Sequence, residues 1–198
     1  MFITFEGIDG SGKTTQAQLL YKYLQDKKID CMLGSEPLPF VKDVCQQFDL
    51  DKRSILLLME VQRSIDVKQI KNSLNTNKVV LLDRYIDSTY AYQHYGRKIS
   101  MKKIEWLERF IFGENMIMPD LTFLLDIDPL VAKERLKTRD NLSKTDKENL
   151  SFFKRVREGY LEMAMMDNRI HIIKANNNIV EQHKEIIQII NEYGKIKI

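Results

Sequence analysis

The sequence has little of what several classes of protein need. Its only two cysteines, Cys31 and Cys45, form neither a disulfide framework nor a metal-binding pattern, which favours a reducing compartment. No apolar run approaches the ~20 residues of a membrane span, so we expect no membrane partner. The net charge of +3 is too small for a clustered basic face, so we expect no nucleic-acid partner either. Because MFITF leads directly into a glycine-rich loop, we expect no signal peptide and a cytoplasmic protein.

The sequence does contain a regular alternation of apolar and amphipathic segments. Its length of 198 residues suits a single domain, and 43% hydrophobic residues are enough for a sizeable core. Strands are predicted at residues 2–5, 29–34, 78–83, 121–127 and 169–174. Helices are predicted at residues 14–26, 53–74, 86–95, 101–112, 130–139, 150–166 and 179–192. This order predicts an α/β fold of three layers, with a five-stranded parallel sheet flanked by helices.

The stretch EGIDGSGKTTQ, residues 6–16, matches the phosphate-binding pattern G-x-x-x-x-G-K-[ST]. Backbone amides of such a loop surround phosphate oxygens, and the helix that follows adds a favourable partial charge. Lys13 is expected to reach the outer phosphates, and the Thr14 hydroxyl to bind Mg²⁺. The predicted nucleoside triphosphate site consists of Gly7, Ile8, Asp9, Gly10, Ser11, Gly12, Lys13, Thr14 and Thr15. The fold is therefore expected to be of the P-loop NTPase type.

Two further features concern the charge around the triphosphate. Asp83 ends an apolar strand, where a carboxylate would hold Mg²⁺ together with Thr14, partly through water. The variable positions of the loop carry no cation, although phosphoryl transfer requires one near the transferred group. The predicted helix at 130–139 and the polar residues 140–149 supply candidates, and a closing lid there would also exclude water. These cations are Arg135, Lys137, Arg139, Lys144 and Lys147, which would otherwise form a solvated charged face.

The acceptor of the phosphoryl group is expected to be a small molecule. The sequence lacks the guanine-binding N-K-x-D motif and the protein-kinase signatures H-R-D and D-F-G. Arg84 directly follows Asp83, where its guanidinium could bind a monophosphate through two hydrogen bonds. The stretch DRYIDSTYAYQHYG then places tyrosines and amides at helical spacing. These side chains would either contact a base and a sugar or form an amphipathic interface.

Four stretches carry a resemblance to a known family: FEGIDGSGKTTQ, DRYIDSTYAYQ, PDLTFLLDIDP and KRVREGYLEMA. Together, and in this order, they resemble the thymidylate kinases, which make dTDP from dTMP with ATP and Mg²⁺. The resemblance extends over nearly the whole chain. It implies the nucleoside-monophosphate-kinase version of the P-loop fold, a lid around residues 136–150 and a homodimer.

The resemblance also implies roles for individual residues. Asp9 would lie near the acceptor 3′-hydroxyl and the magnesium, and Arg84 would hold the acceptor phosphate. Arg63 would reach the thymine carbonyl, and Tyr92 would leave little space for a 2′-hydroxyl. The implied acceptor site consists of Glu36, Pro37, Lys42, Met59, Arg63, Arg84, Ser88, Tyr92 and Gln93. The implied catalytic residues are Asp9, Lys13, Arg84 and Arg139, with Arg135 added to the ATP site.

Three departures from the family pattern leave alternatives open. Lys42 replaces an arginine near the acceptor phosphate, and lysine lacks the two-pronged geometry of arginine. Met59 stands where a phenylalanine commonly stacks on thymine, so a broader base preference, for example for dUMP, is one alternative. Lys144 occupies an arginine position in the lid, which assigns the transition-state role to Arg139 or Arg135. The other alternative is a nucleotide-gated binding protein without turnover.

Overall fold

Five short strands form a single parallel sheet in the computed structural model, which describes residues 1–138, 143–176 and 178–196. The strands are β1 (Phe2–Glu6), β2 (Cys31–Ser35), β3 (Val79–Asp83), β4 (Leu121–Asp126) and β5 (Ile170–Lys174). Their spatial order is β2-β3-β1-β4-β5, and every neighbouring pair is parallel. The predicted five-stranded α/β fold is confirmed.

Helices cover both faces of this sheet. They are α1 (Lys13–Asp26), α2 (Pro39–Gln47), α3 (Lys52–Asn75), α4 (Ile86–Thr89), α5 (Met101–Phe112), α6 (Pro129–Lys137), α7 (Leu150–Met166) and α8 (Ile179–Tyr193). A π-helical segment (Tyr90–Gly96) continues α4, and a 3₁₀ turn (Gly113–Asn115) follows α5. No helix in the described ranges is long and apolar enough to cross a membrane.

The alternation of side chains along the strands divides the core into two layers. Ile3 and Phe5 of β1 are fully buried in a cluster that includes residues of α1, α7 and α8. Phe2, from the same strand, joins Val80 and Leu82 of β3 in a second cluster with residues of α3 and α5. Because successive strand side chains point to opposite faces, one apolar strand serves both layers.

The structure differs from the sequence prediction in three places. Helix α2 was not predicted, since it is short and buries a single side chain, Val41. Strand β2 begins at Cys31 rather than at residue 29, because the Ile29 amide still donates to the Leu24 carbonyl oxygen of α1 at 2.9 Å. The helix predicted at 86–95 becomes π-helical from Tyr90 onward, an irregularity that apolar periodicity does not reveal.

Candidate active site

The carboxyl ends of the central strands open into a cleft of about 910 Å³. The cleft lies where β1 and β3 are neighbours and the chain leaves them for different helices, a place where open α/β sheets bind ligands. Sixteen of the predicted site residues line it: Asp9, Gly10, Gly12, Lys13, Thr14, Thr15, Glu36, Pro37, Lys42, Met59, Arg63, Asp83, Arg84, Ser88, Tyr92 and Gln93. Gly7, Ile8, Ser11 and Arg135 do not line this cleft, and Arg139 lies outside the described residues.

The loop between β1 and α1 is shaped by glycines that another residue could not replace. Gly7 has a φ of 138°, and a Cβ there would lie 2.6 Å from the Leu125 carbonyl oxygen. Gly10 has a φ of 85°, and its Cβ would lie 2.6 Å from the Ala132 carbonyl oxygen. The chain therefore turns tightly between strand and helix, with its backbone packed against β4 and α6.

Lys13 opens helix α1 at the base of this loop. Its ammonium is 5% exposed and donates a hydrogen bond of 2.9 Å to the Ile8 carbonyl oxygen. Burial, together with the nearby Arg84 charge, lowers the pKa of Lys13 to about 8. The lysine is held inside the loop, where its charge would face the phosphates of a bound triphosphate.

Thr14 and Asp83 form an oxygen pair next to Lys13. The Thr14 hydroxyl donates a short hydrogen bond to Asp83 Oδ2. Asp83 Oδ1 is buried and accepts no hydrogen bond from any described residue. Carboxylate and hydroxyl oxygens are the ligands that Mg²⁺ prefers, and this ion commonly takes its remaining ligands from phosphate and water. The pair fits such an ion, although the described residues hold no cluster of three or more His, Cys, Asp or Glu side chains suited to a metal.

Arg84 is fixed in place by contacts with three parts of the chain. Its backbone has a φ of 76°, and its amide donates to the Phe5 carbonyl oxygen at 3.0 Å. One terminal nitrogen donates to Asp9 Oδ1 at 2.6 Å and to the Tyr92 hydroxyl at 3.1 Å. The other donates to Ser88 Oγ at 3.0 Å and to the Gly7 carbonyl oxygen at 3.2 Å. The guanidinium therefore joins the phosphate loop to the segment that follows β3.

Asp9 is the carboxylate at the centre of this connection. Its second oxygen accepts a hydrogen bond of 2.9 Å from the Tyr92 hydroxyl. Burial by itself would raise the pKa of Asp9, but the Arg84 and Lys13 charges outweigh burial and lower that pKa to about 2. Asp9 is thus ionised at neutral pH and balances the two cations beside it.

Glu6 and Tyr160 were missed as site residues. The buried Glu6 carboxylate accepts hydrogen bonds from the Tyr85 amide at 2.7 Å, Ser88 Oγ at 2.6 Å and the Tyr160 hydroxyl at 2.8 Å. Burial, with the Asp87 charge, raises the pKa of Glu6 to about 7. Glu6 therefore holds Ser88 and Tyr160, both of which contact the Arg84 guanidinium. The available signal was a carboxylate at the end of an apolar strand, the same signal that identified Asp83.

The predicted base-contacting residues lie deeper in the cleft. Arg63 is only 1% exposed and forms ion pairs of 2.8 Å with Glu36 and with Glu60. The Gln93 side chain is 4% exposed, and its carbonyl oxygen has no hydrogen-bond partner among the described residues. Met59 lines the same region from α3. An apolar surface, a buried arginine and an unpaired amide oxygen together could recognise a planar ring with polar edges.

The turn after β2 is held by helix α3. The Leu38 amide donates to Gln62 Oε1 at 2.6 Å, and Gln62 in turn donates to Asp66 at 3.0 Å. This contact fixes the position of Glu36 and Pro37 at the wall of the cleft. Lys42 lines the same wall from α2, and its side chain is exposed.

The described part of the predicted lid forms turns that reach across the cleft. The Lys144 ammonium donates to the Phe48 carbonyl oxygen at 2.6 Å, on the opposite rim. Asp146, which is 8% exposed, accepts a hydrogen bond of 2.8 Å from the Ser143 amide. Arg97 and Arg155, two cations that sequence reasoning missed, also line the cleft. These basic side chains give this side of the cleft a positive character.

Arg135 lies on the far side of the phosphate loop. Its guanidinium donates to the Gly10 carbonyl oxygen at 3.5 Å and to the Ala175 carbonyl oxygen at 3.2 Å. The arginine thus joins the loop to the turn after β5. Residues 139–142 of the predicted lid lie outside the described residues.

Comparison with known proteins agrees with this geometry. The family model described as thymidylate kinase matches residues 5–186. The chain is 36% identical to a thymidylate kinase of Kosmotoga olearia, with 95% of this chain and 94% of that protein covered. It is also 36% identical to a thymidylate kinase of Tropheryma whipplei, with 94% of each covered. A crystal structure of thymidylate kinase from Ehrlichia chaffeensis, 35% identical, superimposes with a TM-score of 0.76 over 96% of this chain and 98% of that one. The chain therefore belongs to the thymidylate kinase family.

Proposed function

We propose that this protein transfers the γ-phosphoryl group of MgATP to dTMP, producing dTDP and ADP. The observation that carries the proposal is the contact of Arg84 with Asp9, because it places an arginine of the same cleft directly beside the phosphate-binding loop. A loop alone would support any P-loop hydrolase. A second anion-binding group beside the loop supports transfer to a phosphorylated acceptor.

The donor half is assigned to the loop and to the two oxygen ligands beside it. Lys13 and the backbone amides of residues 7–15 bind the triphosphate, and the charge of Lys13 stabilises the transferred group. Thr14 and Asp83 are the residues that would hold Mg²⁺, with part of the contact through water. When bound, this ion neutralises charge on the phosphate oxygens. Asp9 keeps Lys13 and Arg84 charged and close together.

The acceptor half is assigned to side chains from four elements. Arg84 holds the dTMP phosphate. An oxygen of this phosphate attacks the γ-phosphorus of ATP, while the bond between the γ-phosphorus and the β–γ bridging oxygen breaks and ADP leaves. Tyr92 lies beside the sugar, where its ring favours a deoxyribose. Met59, Arg63, Ser88 and Gln93 surround the base, and Glu36, Pro37 and Lys42 form the outer wall. Positioning of the two nucleotides is the main source of rate.

The lid is assigned to residues around 136–150 of a single domain that spans residues 1–198. Lys144 contacts the opposite rim, which supports a segment that covers the cleft and excludes water. Because the Lys144 ammonium is hydrogen-bonded to the Phe48 carbonyl oxygen, we assign the stabilisation of negative charge in the transition state to Arg139 or Arg135. Arg135 already contacts the phosphate loop and the turn after β5, which supports a place for it beside the ATP.

We also propose a homodimer. Leu57, Val61 and Ile65 are about half exposed and spaced by four residues along α3. On α5, which packs against α3, Trp106 and Phe110 stack at 5.5 Å while 64% and 75% exposed. Exposed apolar rows of this kind mark protein interfaces. Sedimentation should give twice the chain mass, and Val61→Lys should shift the protein toward the monomer.

We propose the cytoplasm as its location, because both cysteines are free thiols, which is typical of that compartment.

The test of the function is a panel of nucleoside monophosphates incubated with MgATP, with the diphosphate product measured by chromatography. We expect dTDP as the main product and loss of turnover when Mg²⁺ is chelated. Because Met59 supplies no aromatic stacking on the base, dUMP is expected as the second substrate. ATP binding without phosphorylation of any monophosphate would favour a binding protein without turnover.

A further inference from the structure

Arg63 is buried between two carboxylates, one of which comes from its own helix. Glu60, three residues earlier on α3, accepts a hydrogen bond of 2.8 Å from one terminal nitrogen of Arg63. Glu36, after β2, accepts one of 2.8 Å from the other terminal nitrogen, which also approaches the Tyr85 carbonyl oxygen at 3.4 Å. Glu60 is fully buried, so this ion pair is shielded from water.

These contacts leave two N–H groups of the buried guanidinium unused. An arginine side chain has five N–H donors, and the three hydrogen bonds to Glu36, Glu60 and Tyr85 use three of them. The Nε–H of Arg63 has no partner in the part of the chain that the structure describes. Arg63 lines the cleft, whereas Glu60 does not. Glu60 can therefore influence a bound molecule through the arginine.

The two carboxylates, Glu36 and Glu60, also determine the net charge beside the part of the cleft that Arg63 lines. When both glutamates are ionised, they outnumber the single positive charge of Arg63 by one negative charge. Burial raises the pKa of Glu60, and the adjacent Arg63 charge opposes that rise. A third buried carboxyl group, Glu108, lies behind this cluster and accepts a hydrogen bond of 2.5 Å from the Tyr90 hydroxyl.

We propose that Glu60 is a positioning residue that sets the base preference of the acceptor site by orienting Arg63 and reducing its effective positive charge. This inference rests on the proposed function, because it takes the acceptor to be a pyrimidine nucleoside monophosphate. Position 4 of the ring is a carbonyl in dTMP and dUMP and an amino group in dCMP. A positive donor favours the carbonyl, whereas the carboxylates behind it favour the amino group. Glu60 thus weakens the preference for the carbonyl bases.

The test is the isosteric variant Glu60→Gln, which keeps a hydrogen-bond acceptor for Arg63 but removes the charge. The dissociation constants of dTMP, dUMP and dCMP are measured by calorimetry, and KM and kcat by steady-state kinetics. We expect the dTMP-over-dCMP preference to rise about fivefold, through Kd and KM, with dUMP following dTMP and kcat for dTMP unchanged. Glu60→Asp, which keeps the charge, should restore the preference of the unchanged protein.

The matched control is Glu108→Gln, which removes a buried carboxyl group that makes no hydrogen bond to Arg63. It should leave the base preference within about twofold of the unchanged protein. A folded Glu60→Gln variant with an unchanged preference would overturn the inference, and so would an equal shift in Glu60→Asp or in the control. If dTMP binds with the expected shift but is not phosphorylated, the proposed function fails and the inference stands. If no monophosphate binds, both fail.

Discussion

The two halves of the cleft are built in different ways. The proposed donor half is one continuous loop, residues 7–15, in which Lys13 is the only cationic side chain that lines the cleft. The acceptor half is assembled from side chains that hold one another across long sequence distances, such as Arg84 with Asp9 and Tyr160 with Glu6. A local site depends on backbone shape, whereas a dispersed site depends on its ion pairs. The two halves should therefore fail in different ways when single residues are changed.

The largest effect is expected from Lys13→Ala in the donor half. Removing the buried charge should lower kcat by about 100- to 1,000-fold, because no other side chain of the loop carries a positive charge to stabilise the transferred phosphoryl group. Steady-state kinetics measures this loss, and Lys22→Ala, an exposed residue of the same helix, is the control.

The Lys13 pKa of about 8 implies that ATP affinity depends on pH. The Lys13 charge is lost as the pH rises through this value, so ATP affinity should fall above pH 8. An affinity that stays flat to pH 9.5 would contradict the role of this charge.

Arg84→Ala should produce the next largest effect and should separate the two halves. Loss of the fixed guanidinium should lower kcat/KM for dTMP by about 100-fold, since charge-assisted hydrogen bonds to the phosphate are lost. The Kd for ATP, measured by calorimetry, should change little. Arg84→Lys keeps the charge without the paired donors and should recover only part of the activity. Equal weakening of ATP and dTMP binding would remove Arg84 from the acceptor half.

Gly10→Ala tests the backbone of the donor loop with a smaller change. The added Cβ would approach the Ala132 carbonyl oxygen to 2.6 Å at a φ of 85°, so the loop must shift. We expect KM for ATP to rise about tenfold, with KM for dTMP unchanged. Gly113→Ala is the control, because Gly113 also has a positive φ but lies outside the cleft. If the control raises KM for ATP equally, general strain rather than loop shape is responsible.

The smallest expected effect concerns stability behind the acceptor half. Burial, and to a lesser degree the Glu60 charge, raises the pKa of Glu108 to about 7 from 4.5. A raised pKa stabilises the fold fully below pH 4.5, and this contribution is lost as the pH rises through 7. Glu108→Gln cannot titrate, so its Tm should gain about 3 °C relative to the unchanged protein between pH 5 and pH 8. The exposed Glu105→Gln should show no such gain in the same melting series.

The sequence predicted the donor half and the sheet more completely than the acceptor half. Lys13, Thr14 and Asp83 were predicted from their positions relative to strands and loop, and all three line the cleft. Arg84 and Tyr92 were predicted as ligand contacts, but their contacts with Asp9 were not, since those pairs form only after folding. Arg63 was assigned to the thymine carbonyl, and its enclosure by Glu36 and Glu60 could not be read from spacing alone. Helix α2 was missed because it has only nine residues and begins at a proline, Pro39.

The most direct test of the account uses a single molecule in which adenosine and deoxythymidine are joined through five phosphates. Calorimetry should show one such molecule bound per chain, and it should compete with both ATP and dTMP. In the Arg84→Ala variant, the linked molecule should bind more weakly and should still compete with ATP. If the linked molecule displaces ATP but does not displace dTMP, the two nucleotides do not meet end to end in this cleft.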